Sequence, residues 1–368
     1  MRPAKLFMCL PDFSGGGAEK VMLTLMRRFG SGHNISCVVL RADGPLKNQL
    51  PQKCTLENLN CAPARKAIPE LAALFRRKKP EIVCSTLAYF NLTVMMALLI
   101  SGHRPRRVIL REANSPASTL MSLPAQWIGR LGYRYLYNRA DAVICNAEHV
   151  HRDLVQLGVK PERISVIPNP VDAERLHRLA KNNLTMPAFS KPALPLLVAA
   201  GRLTRQKGMD RLISWAGAMK TKANLLIMGT GPDYDALKDQ IIKNKLEGRV
   251  KIICFQENPF PFIVKADGVL MGSRWEGLPN IALEALALGK TVIATKDCGG
   301  LVDLKNKIQD NTLIIADTDT AFISALDQLS KDRSLPKTKE GSLPGSSLPD
   351  SFHIHNVVRQ YHSVIFGS

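Results

Sequence analysis

Ser273-Arg274-Trp275-Glu276-Gly277-Leu278-Pro279-Asn280-Ile281-Ala282-Leu283-Glu284-Ala285-Leu286-Ala287-Leu288-Gly289 is the stretch on which the reading of this chain turns. A short apolar run, 268–271, precedes it and another, 291–294, follows it. Pro279 suits the first turn of a helix and Gly289 suits the position just past its end. The stretch therefore reads as strand, loop, helix and next strand. Glu276 then lies in the loop and Glu284 within the helix, with seven residues between them. A carboxylate is a natural acceptor for the vicinal hydroxyls of a sugar or ribose. Gly277 and the N–H groups that follow at the helix start can hold a phosphate. A capped amphipathic helix with a buried leucine and isoleucine face has the same pattern, and periodicity alone does not separate the two.

Working outward, the same alternation fills the chain. Strand-like runs occupy 5–10, 35–40, 81–87, 107–111, 142–146 and 164–167 in the first half. In the second they occupy 196–201, 224–228, 250–254, 268–271, 291–294 and 312–315, with helical patterns between. Continuous apolar strands alternating with helices imply parallel sheets covered on both faces. The fold class is thus α/β, as two doubly wound, Rossmann-like domains. Residues 181–195 are rich in Asn, Pro and Ser with no period, which puts the boundary there, between a domain of 1–185 and one of 186–351. A second segment of low complexity, 334–351, precedes a helical pattern at 352–365 whose Val357, Val358, Tyr361 and Ile365 need a surface to dock on. No internal repeat of solenoid length is present.

Composition bounds the rest. The chain has 368 residues, of which 45% are hydrophobic and 22% charged; this excludes disordered, collagen-like and coiled-coil chains. No apolar run approaches the ~18 residues of a membrane span, and the apolar run after Lys5 is too short for a signal peptide. The expected location is the cytoplasm. Eight cysteines without a C-x-x-C pair read as buried free thiols, Cys9, Cys37, Cys84, Cys145 and Cys254 being set in or beside apolar runs. The net charge is +19, and residues 1–185 carry 27 Lys and Arg against 13 Asp and Glu. The runs 76–79 and 104–111 concentrate it. Such a field favours nucleic acid, an anionic membrane surface or anionic substrates, or serves only to solubilise.

A glycine cluster, Ser14-Gly15-Gly16-Gly17-Ala18-Glu19-Lys20, follows the first strand and opens a helix. Glycines allow close backbone approach to a ligand, and the helix start offers N–H groups to an anion. The cluster meets neither the dinucleotide fingerprint G-x-G-x-x-G nor the P-loop pattern, and a plain tight turn also accounts for it. His103, His149 and His151 stand apart from every motif, and Trp275 reads as core packing.

Glu276 and Glu284, in EGLPNIALEALALG, resemble the signature of retaining glycosyltransferases of family 4 (glycosyl transferases group 1) with the GT-B fold, in the EGLPN form. The resemblance extends along nearly the whole chain. Gly16 to Lys20 (GGAEK) is similar to that family's N-terminal donor loop, and Gly201-Arg202-Leu203-Thr204-Arg205-Gln206-Lys207-Gly208 to its Gly-Arg…Lys-Gly phosphate motif. Asn169-Pro170-Val171-Asp172 resembles the turn that closes the first domain. Gly229-Thr230-Gly231-Pro232 and Glu257-Asn258-Pro259-Phe260 resemble segments lining the nucleotide pocket.

The resemblance implies two domains facing each other across a cleft, the first binding the acceptor and the second the nucleotide-sugar donor, with helix 352–368 crossing back to the first. It implies that Arg202 and Lys207 neutralise the donor diphosphate, that Glu284 holds the ribose hydroxyls and that Glu276 contacts the transferred sugar. The backbone at Gly277, Leu278, Pro279, Asn280 and Ile281 would meet phosphates or sugar, and Gly16, Gly17, Gly229 and Asn258 would complete the donor pocket. Many relatives carry a His after the strand that here ends Arg111-Glu112-Ala113-Asn114, so Glu112 or Asn114 is expected in its place. The implied substrate is a nucleotide diphosphate sugar, UDP-linked in relatives with EGLPN, and the acceptor a glycan or lipid-linked sugar of a bacterial polysaccharide or lipopolysaccharide. The enzyme would be a cytoplasmic, peripheral one that docks its basic domain on the inner membrane. No cofactor, metal or nucleic acid is expected: Asp317-Thr318-Asp319 has metal-ligand spacing, but reads as a strand end and helix cap. A nucleotide-sugar epimerase of the same fold and a basic nucleic-acid-binding protein are the alternatives; no nucleic-acid-binding motif supports the second.

Overall fold

The computed structural model describes residues 3–121, 126–183, 185–308, 310–331 and 346–367. The chain forms two compact units, one of Met1–Pro170 with Ile354–Ser368, the other of Val171–His353. In the first, β1 (Lys5–Cys9), β2 (Asn34–Val39), β3 (Thr55–Asn58), β4 (Ile82–Thr86), β5 (Arg107–Glu112), β6 (Ala142–Cys145) and β7 (Ile164–Val166) make one sheet in the order β3-β2-β1-β4-β5-β6-β7. Every pairing is parallel. The helices between are α1 (Gly17–Phe29), α2 (Ile68–Lys78), α3 (Ala88–Ser101), α4 (Pro116–Met121), α5 (Gln126–Leu131) and α6 (Glu148–Gln156). Strand β3 escapes sequence reading because it is an edge strand: Thr-Leu-Glu-Asn is half-buried to exposed and shows no apolar run.

The second unit holds α7 (Ala173–Ala180), β8 (Leu196–Ala200), α8 (Met209–Ala218), β9 (Asn224–Met228), α9 (Tyr234–Lys243), β10 (Val250–Ile253) and α10 (Phe260–Lys265). It continues with β11 (Gly268–Met271), α11 (Asn280–Ala287), β12 (Thr291–Thr295), α12 (Gly299–Lys305), β13 (Leu313–Ala316) and α13 (Asp319–Lys331). Its six-stranded sheet, β10-β9-β8-β11-β12-β13, is also parallel throughout. Both sheets reverse strand order beside their first strand, the place where open α/β sheets bind ligands at the carboxyl ends of the strands.

The expected boundary at 185/186 moves to Pro170–Val171. Helix α7 packs on α10 and α11, the Asn258 amide donates to the Leu179 carbonyl at 2.9 Å, and the Val171 N–H donates to the Phe352 carbonyl at 2.9 Å. Those ties hold 171–180 and the end of the unit to its body, ahead of the Asn/Pro/Ser-rich stretch that composition marks. Most of the low-complexity segment 334–351 lies outside the described residues. Of the cysteines, Cys9, Cys37, Cys54, Cys84, Cys145 and Cys298 are buried and free. Cys254, expected buried, is exposed just past edge strand β10.

The last helix, α14 (Ile354–Phe366), belongs to the first unit. Val357, Tyr361 and Ile365 are fully buried in the core with Leu25, Met26 and Phe29 of α1. The Phe366 ring meets that of Phe29 edge-on at 5.6 Å and stacks on His33 at 4.0 Å. Each such buried side chain is worth about 1.5–3 kcal/mol. The helix is fixed at its middle by Arg111 of β5, whose guanidinium is 1% exposed. Its Nε donates to the Tyr361 hydroxyl at 2.9 Å, Nη1 to Thr86 Oγ1 at 3.2 Å and Nη2 to Asn169 Oδ1 at 2.6 Å. Tyr361→Phe removes one acceptor from a buried cation and should lower stability by about 1–3 kcal/mol. Urea denaturation of the full chain measures it, and an unchanged midpoint would show that the guanidinium does not depend on α14.

Candidate active site

In the second unit three loops leave the carboxyl ends of neighbouring strands. The first runs from β8 through Gly201 and Arg202 to a single 3-10 turn, Arg205–Lys207, and Gly208. Gly208 has φ +62, and a Cβ there would lie 2.0 Å from the Gly272 carbonyl oxygen. Gly229, after β9, approaches as closely: its Cβ would fall 1.9 Å from the Gly201 oxygen. Only glycine allows these backbones to meet.

The third loop, 272–279, joins β11 to α11 and is held from several sides. The Arg274 N–H donates to the Gln206 carbonyl at 2.7 Å and the Gln206 amide to the Trp275 carbonyl at 3.0 Å. The Arg274 guanidinium grips both Asp210 oxygens, at 2.9 and 2.6 Å, and lowers that carboxyl's pKa. Thr295 of β12 donates to the Ser273 carbonyl at 2.8 Å, and the Gly300 N–H to the Gly277 carbonyl at 2.9 Å.

Inside this frame Glu276 is only 7% exposed. Its Oε1 accepts from the Ser273 hydroxyl at 2.9 Å and forms an ion pair with Lys207 Nζ. The sequence reading gave Lys207 and Glu276 to different parts of a donor; the structure joins them. Arg202, by contrast, is exposed. Pro279 is the N-cap of α11 rather than its first residue, Asn280 opens the helix, and Leu278 is buried. Ile281 is half-buried, and Gly289 has φ +67 just beyond the C-cap Leu288, as the stop signal requires. On α11, Glu284 Oε2 is buried without a hydrogen-bond partner. An unsatisfied buried carboxylate oxygen is costly and points to a group that completes it.

Asn258 is engaged structurally: besides its bond to Leu179, its oxygen accepts from the Phe260 N–H at 3.3 Å and caps α10. Trp275 is half-buried rather than core; the buried tryptophan is Trp215, stacked on Phe322 at 4.2 Å. Asp317 and Asp319 lie between the end of β13 and the first turn of α13. There the Thr318 hydroxyl accepts from the Ala321 N–H at 3.1 Å and Asp319 faces Arg211 at 3.6 Å. Ser273 was not singled out from sequence; its place three residues before Glu276 was the available signal.

In the first unit Gly16 is the N-cap of α1 and Gly17 its first residue. A Cβ on Gly16 would lie 2.3 Å from the Glu19 carboxylate, so that glycine makes room for a buried acid. At the end of β5, Glu112 is 1% exposed. Its Oε2 accepts from Tyr137 at 2.7 Å and from Tyr133 at 3.2 Å, and Tyr137 in turn accepts from the Asn91 amide at 3.1 Å. Burial pushes the Glu112 carboxyl up to about 7, against the lowering pull of both tyrosines and Arg111. Glu112 is thus a positioning residue beneath the surface, and Asn114, half-buried two residues on, is the one nearer solvent; its oxygen accepts from the Ser115 N–H at 3.1 Å. Ser85, Asn91 and Asn146, at the ends of β4 and β6 and the start of α3, each keep a buried oxygen without a partner. None of the three carries a sequence signal, because only the sheet brings them to one edge. His103 donates or accepts at the Pro80 carbonyl, 2.8 Å away, outside these loops.

Residues 15–175 match the family Glycosyltransferase Family 4, and residues 187–340 match Glycosyl transferases group 1. The chain belongs to the family 4, or group 1, glycosyltransferases, with two Rossmann-like α/β domains of the GT-B type. It is similar to the N-acetylgalactosamine-N,N'-diacetylbacillosaminyl-diphospho-undecaprenol 4-alpha-N-acetylgalactosaminyltransferase of Campylobacter jejuni, 24% identical over 90% of this chain and 92% of that protein. It is also similar to the lipopolysaccharide core biosynthesis glycosyltransferase LpsE of Rhizobium meliloti, 29% identical over 56% of this chain and 58% of that one. Among solved structures, Anabaena HepE in complex with UDP-glucose superposes with a TM-score of 0.80 at 18% identity, over 99% of this chain and all of that one.

Two outcomes follow from this geometry. Lys207→Ala strands the buried Glu276 carboxylate and should cost about 3 kcal/mol of stability, whereas Arg202→Ala, at an exposed site, should stay within about 0.5 kcal/mol. Denaturant midpoints separate them; equal midpoints would mean that the ion pair does not matter. Glu112, whose carboxyl rises from an ordinary 4.5 to about 7 in the fold, binds its proton more tightly folded than unfolded. Its contribution is fully present below pH 4.5 and is lost as pH rises through about 7. Relative to Glu112→Gln, the wild type should therefore lose stability over that window, and parallel pH–stability curves would refute the assignment.

Proposed function

We propose that this glycosyltransferase moves a hexose or N-acetylhexosamine from a nucleotide diphosphate sugar, UDP-linked, to a glycan or lipid-linked acceptor in bacterial polysaccharide or lipopolysaccharide synthesis, with retention at the anomeric carbon. The observation that carries the reading is the carboxylate pair of one loop–helix unit. Glu276 is fixed by Lys207 and Ser273, and Glu284, in the following helix, presents a buried oxygen with no partner. Ribose hydroxyls satisfy Glu284, and the transferred sugar meets Glu276. Support for the donor and acceptor classes comes from the relatives: HepE binds UDP-glucose, the Campylobacter enzyme is named for a diphospho-undecaprenol acceptor, and LpsE for lipopolysaccharide core synthesis.

The chemical demand is charge. As the anomeric carbon–oxygen bond to the diphosphate breaks, negative charge grows on the leaving group and the sugar becomes oxocarbenium-like. Arg202 and Lys207 supply two cations on the loop after β8, and the start of α11 adds N–H groups. With Lys207 shared between Glu276 and the diphosphate, the two anions are neutralised together. The acceptor hydroxyl approaches on the leaving-group face, its oxygen bonds to the anomeric carbon, and its proton passes to a phosphate oxygen. No metal is needed in this scheme, because the cations are the protein's own.

Incubation with radiolabelled nucleotide sugars, with and without lipid-linked acceptors, separates transfer from epimerisation and hydrolysis. Transfer should survive excess chelator, and Arg202→Ala should lose roughly 10²-fold in rate, the scale of a lost charge-stabilising donor. Activity abolished by chelator and restored by Mn²⁺ or Mg²⁺, with Arg202→Ala nearly silent, would overturn the scheme.

A further inference from the structure

Eight of the twelve large hydrophobic side chains exposed among the described residues sit on two neighbouring segments of the first unit: α3, and α5 with the π-helical turn Gly132–Leu136 that extends it. Solvent-exposed apolar residues are ordinary when scattered; gathered, they mark a surface that meets something. Helix α3 carries no charged residue in fourteen positions, yet Met96, Leu99 and Ile100 are exposed, at 38%, 45% and 55%. On the second segment Trp127, Leu131 and Tyr135 recur every fourth residue and form one stripe, with Ile128 beside it; their exposures run from 44% to 64%. The two segments touch where Gly132 lies against Leu92, a Cβ on Gly132 being only 2.7 Å from a Leu92 methyl. The far side of the second segment is pinned from beneath, because Tyr133 and Tyr137 donate to the buried Glu112.

Charge surrounds this face with one sign. Arg76 donates to the Ser101 carbonyl at 3.3 Å and to the Ile100 carbonyl at 3.4 Å, which sets its guanidinium at the end of α3 beside the exposed Ile100. Arg104 and Arg106 follow directly and are exposed, as are Arg130 and Arg134 on the second segment. Between residues 88 and 136 the only acidic residue is Glu112, and it is buried.

We propose that this face seats the first unit on an anionic lipid bilayer, with Trp127, Ile128, Leu131, Leu99 and Ile100 entering the headgroup–acyl boundary and the arginines meeting lipid phosphates. The assignment rests on the reading of the acceptor as lipid-linked, and adds to a basic field an apolar element that salt does not screen. A second copy of the chain fits this face poorly, since self-pairing would set arginines against arginines. Aromatic and aliphatic side chains rimmed by arginine are the chemistry of an interfacial anchor.

The full chain, mixed with vesicles of phosphatidylcholine alone or with phosphatidylglycerol, tests this by sedimentation and tryptophan emission. Trp215 is buried and Trp275 half-buried, so Trp127 carries most of the response. Emission should shift to the blue on phosphatidylglycerol vesicles, and part of the binding should persist at about 1 M salt, where the Debye length is about 3 Å. Trp127→Ser with Ile128→Ser, Leu99→Ser and Ile100→Ser should abolish the salt-resistant part and weaken partition by about tenfold or more. Arg104→Gln with Arg106→Gln, Arg130→Gln and Arg134→Gln should erase the preference for the anionic lipid. Binding lost entirely in salt with no emission shift, equal binding to both vesicles, or self-association that the serine variant abolishes would each overturn the proposal. Calorimetric binding of UDP, through the other unit, reports separately on the donor reading: vesicle binding can fail while it stands, and the reverse.

Discussion

A carboxylate taken out of water must be compensated, and the second unit is organised around that requirement at Glu276. The Lys207 ammonium and the Ser273 hydroxyl both go to the same oxygen. For them to reach it, the loop after β8 and the loop before α11 must run almost in contact, which is why Gly208 and Gly272 face each other with no room for a Cβ. Arg274 on Asp210, Gln206 on Trp275 and Thr295 on Ser273 then hold the two loops in that register. Remove the buried pair and the reason for the close approach is gone.

The first unit meets the same problem differently. Arg111 and Glu112 are chain neighbours of opposite charge, both buried, and strand alternation sends their side chains to opposite faces of the sheet. Neither can neutralise the other directly, so each is satisfied by neutral hydrogen-bond partners: Tyr361, Thr86 and Asn169 around the guanidinium, Tyr133 and Tyr137 around the carboxylate. One strand end thereby anchors two distant pieces of chain, the last helix on one face and the arginine- and aromatic-bearing segment on the other. The incomplete compensation of Glu112 shows in its raised pKa.

These two solutions suit two tasks. A site that must attract and release a diphosphate benefits from a cation already paired with a carboxylate, because the pair can be shared with the ligand without exposing a bare charge in either state. A unit that presents apolar side chains to an interface benefits from a rigid attachment behind them, since ordering a loose segment on binding would consume part of the gain.

The sequence by itself determined the α/β class, twelve of the thirteen strands to within a residue or two, and the run from Ser273 to Gly289 with its two carboxylates. These are legible because parallel strands buried on both faces leave continuous apolar runs, and because Pro and Gly punctuate helices locally. Edge strand β3 was hidden by its polar, half-exposed residues, and the boundary at Pro170–Val171 by a helix whose place is set by packing on α10 and α11. Only tertiary structure joined Lys207 to Glu276 across sixty-nine residues and Arg111 to Tyr361 across two hundred and fifty, and only it withdrew Glu112 from solvent. Periodicity describes which face of an element is apolar; which charges that face brings together depends on how the strands are ordered in the sheet, and strand order is not written in any local pattern.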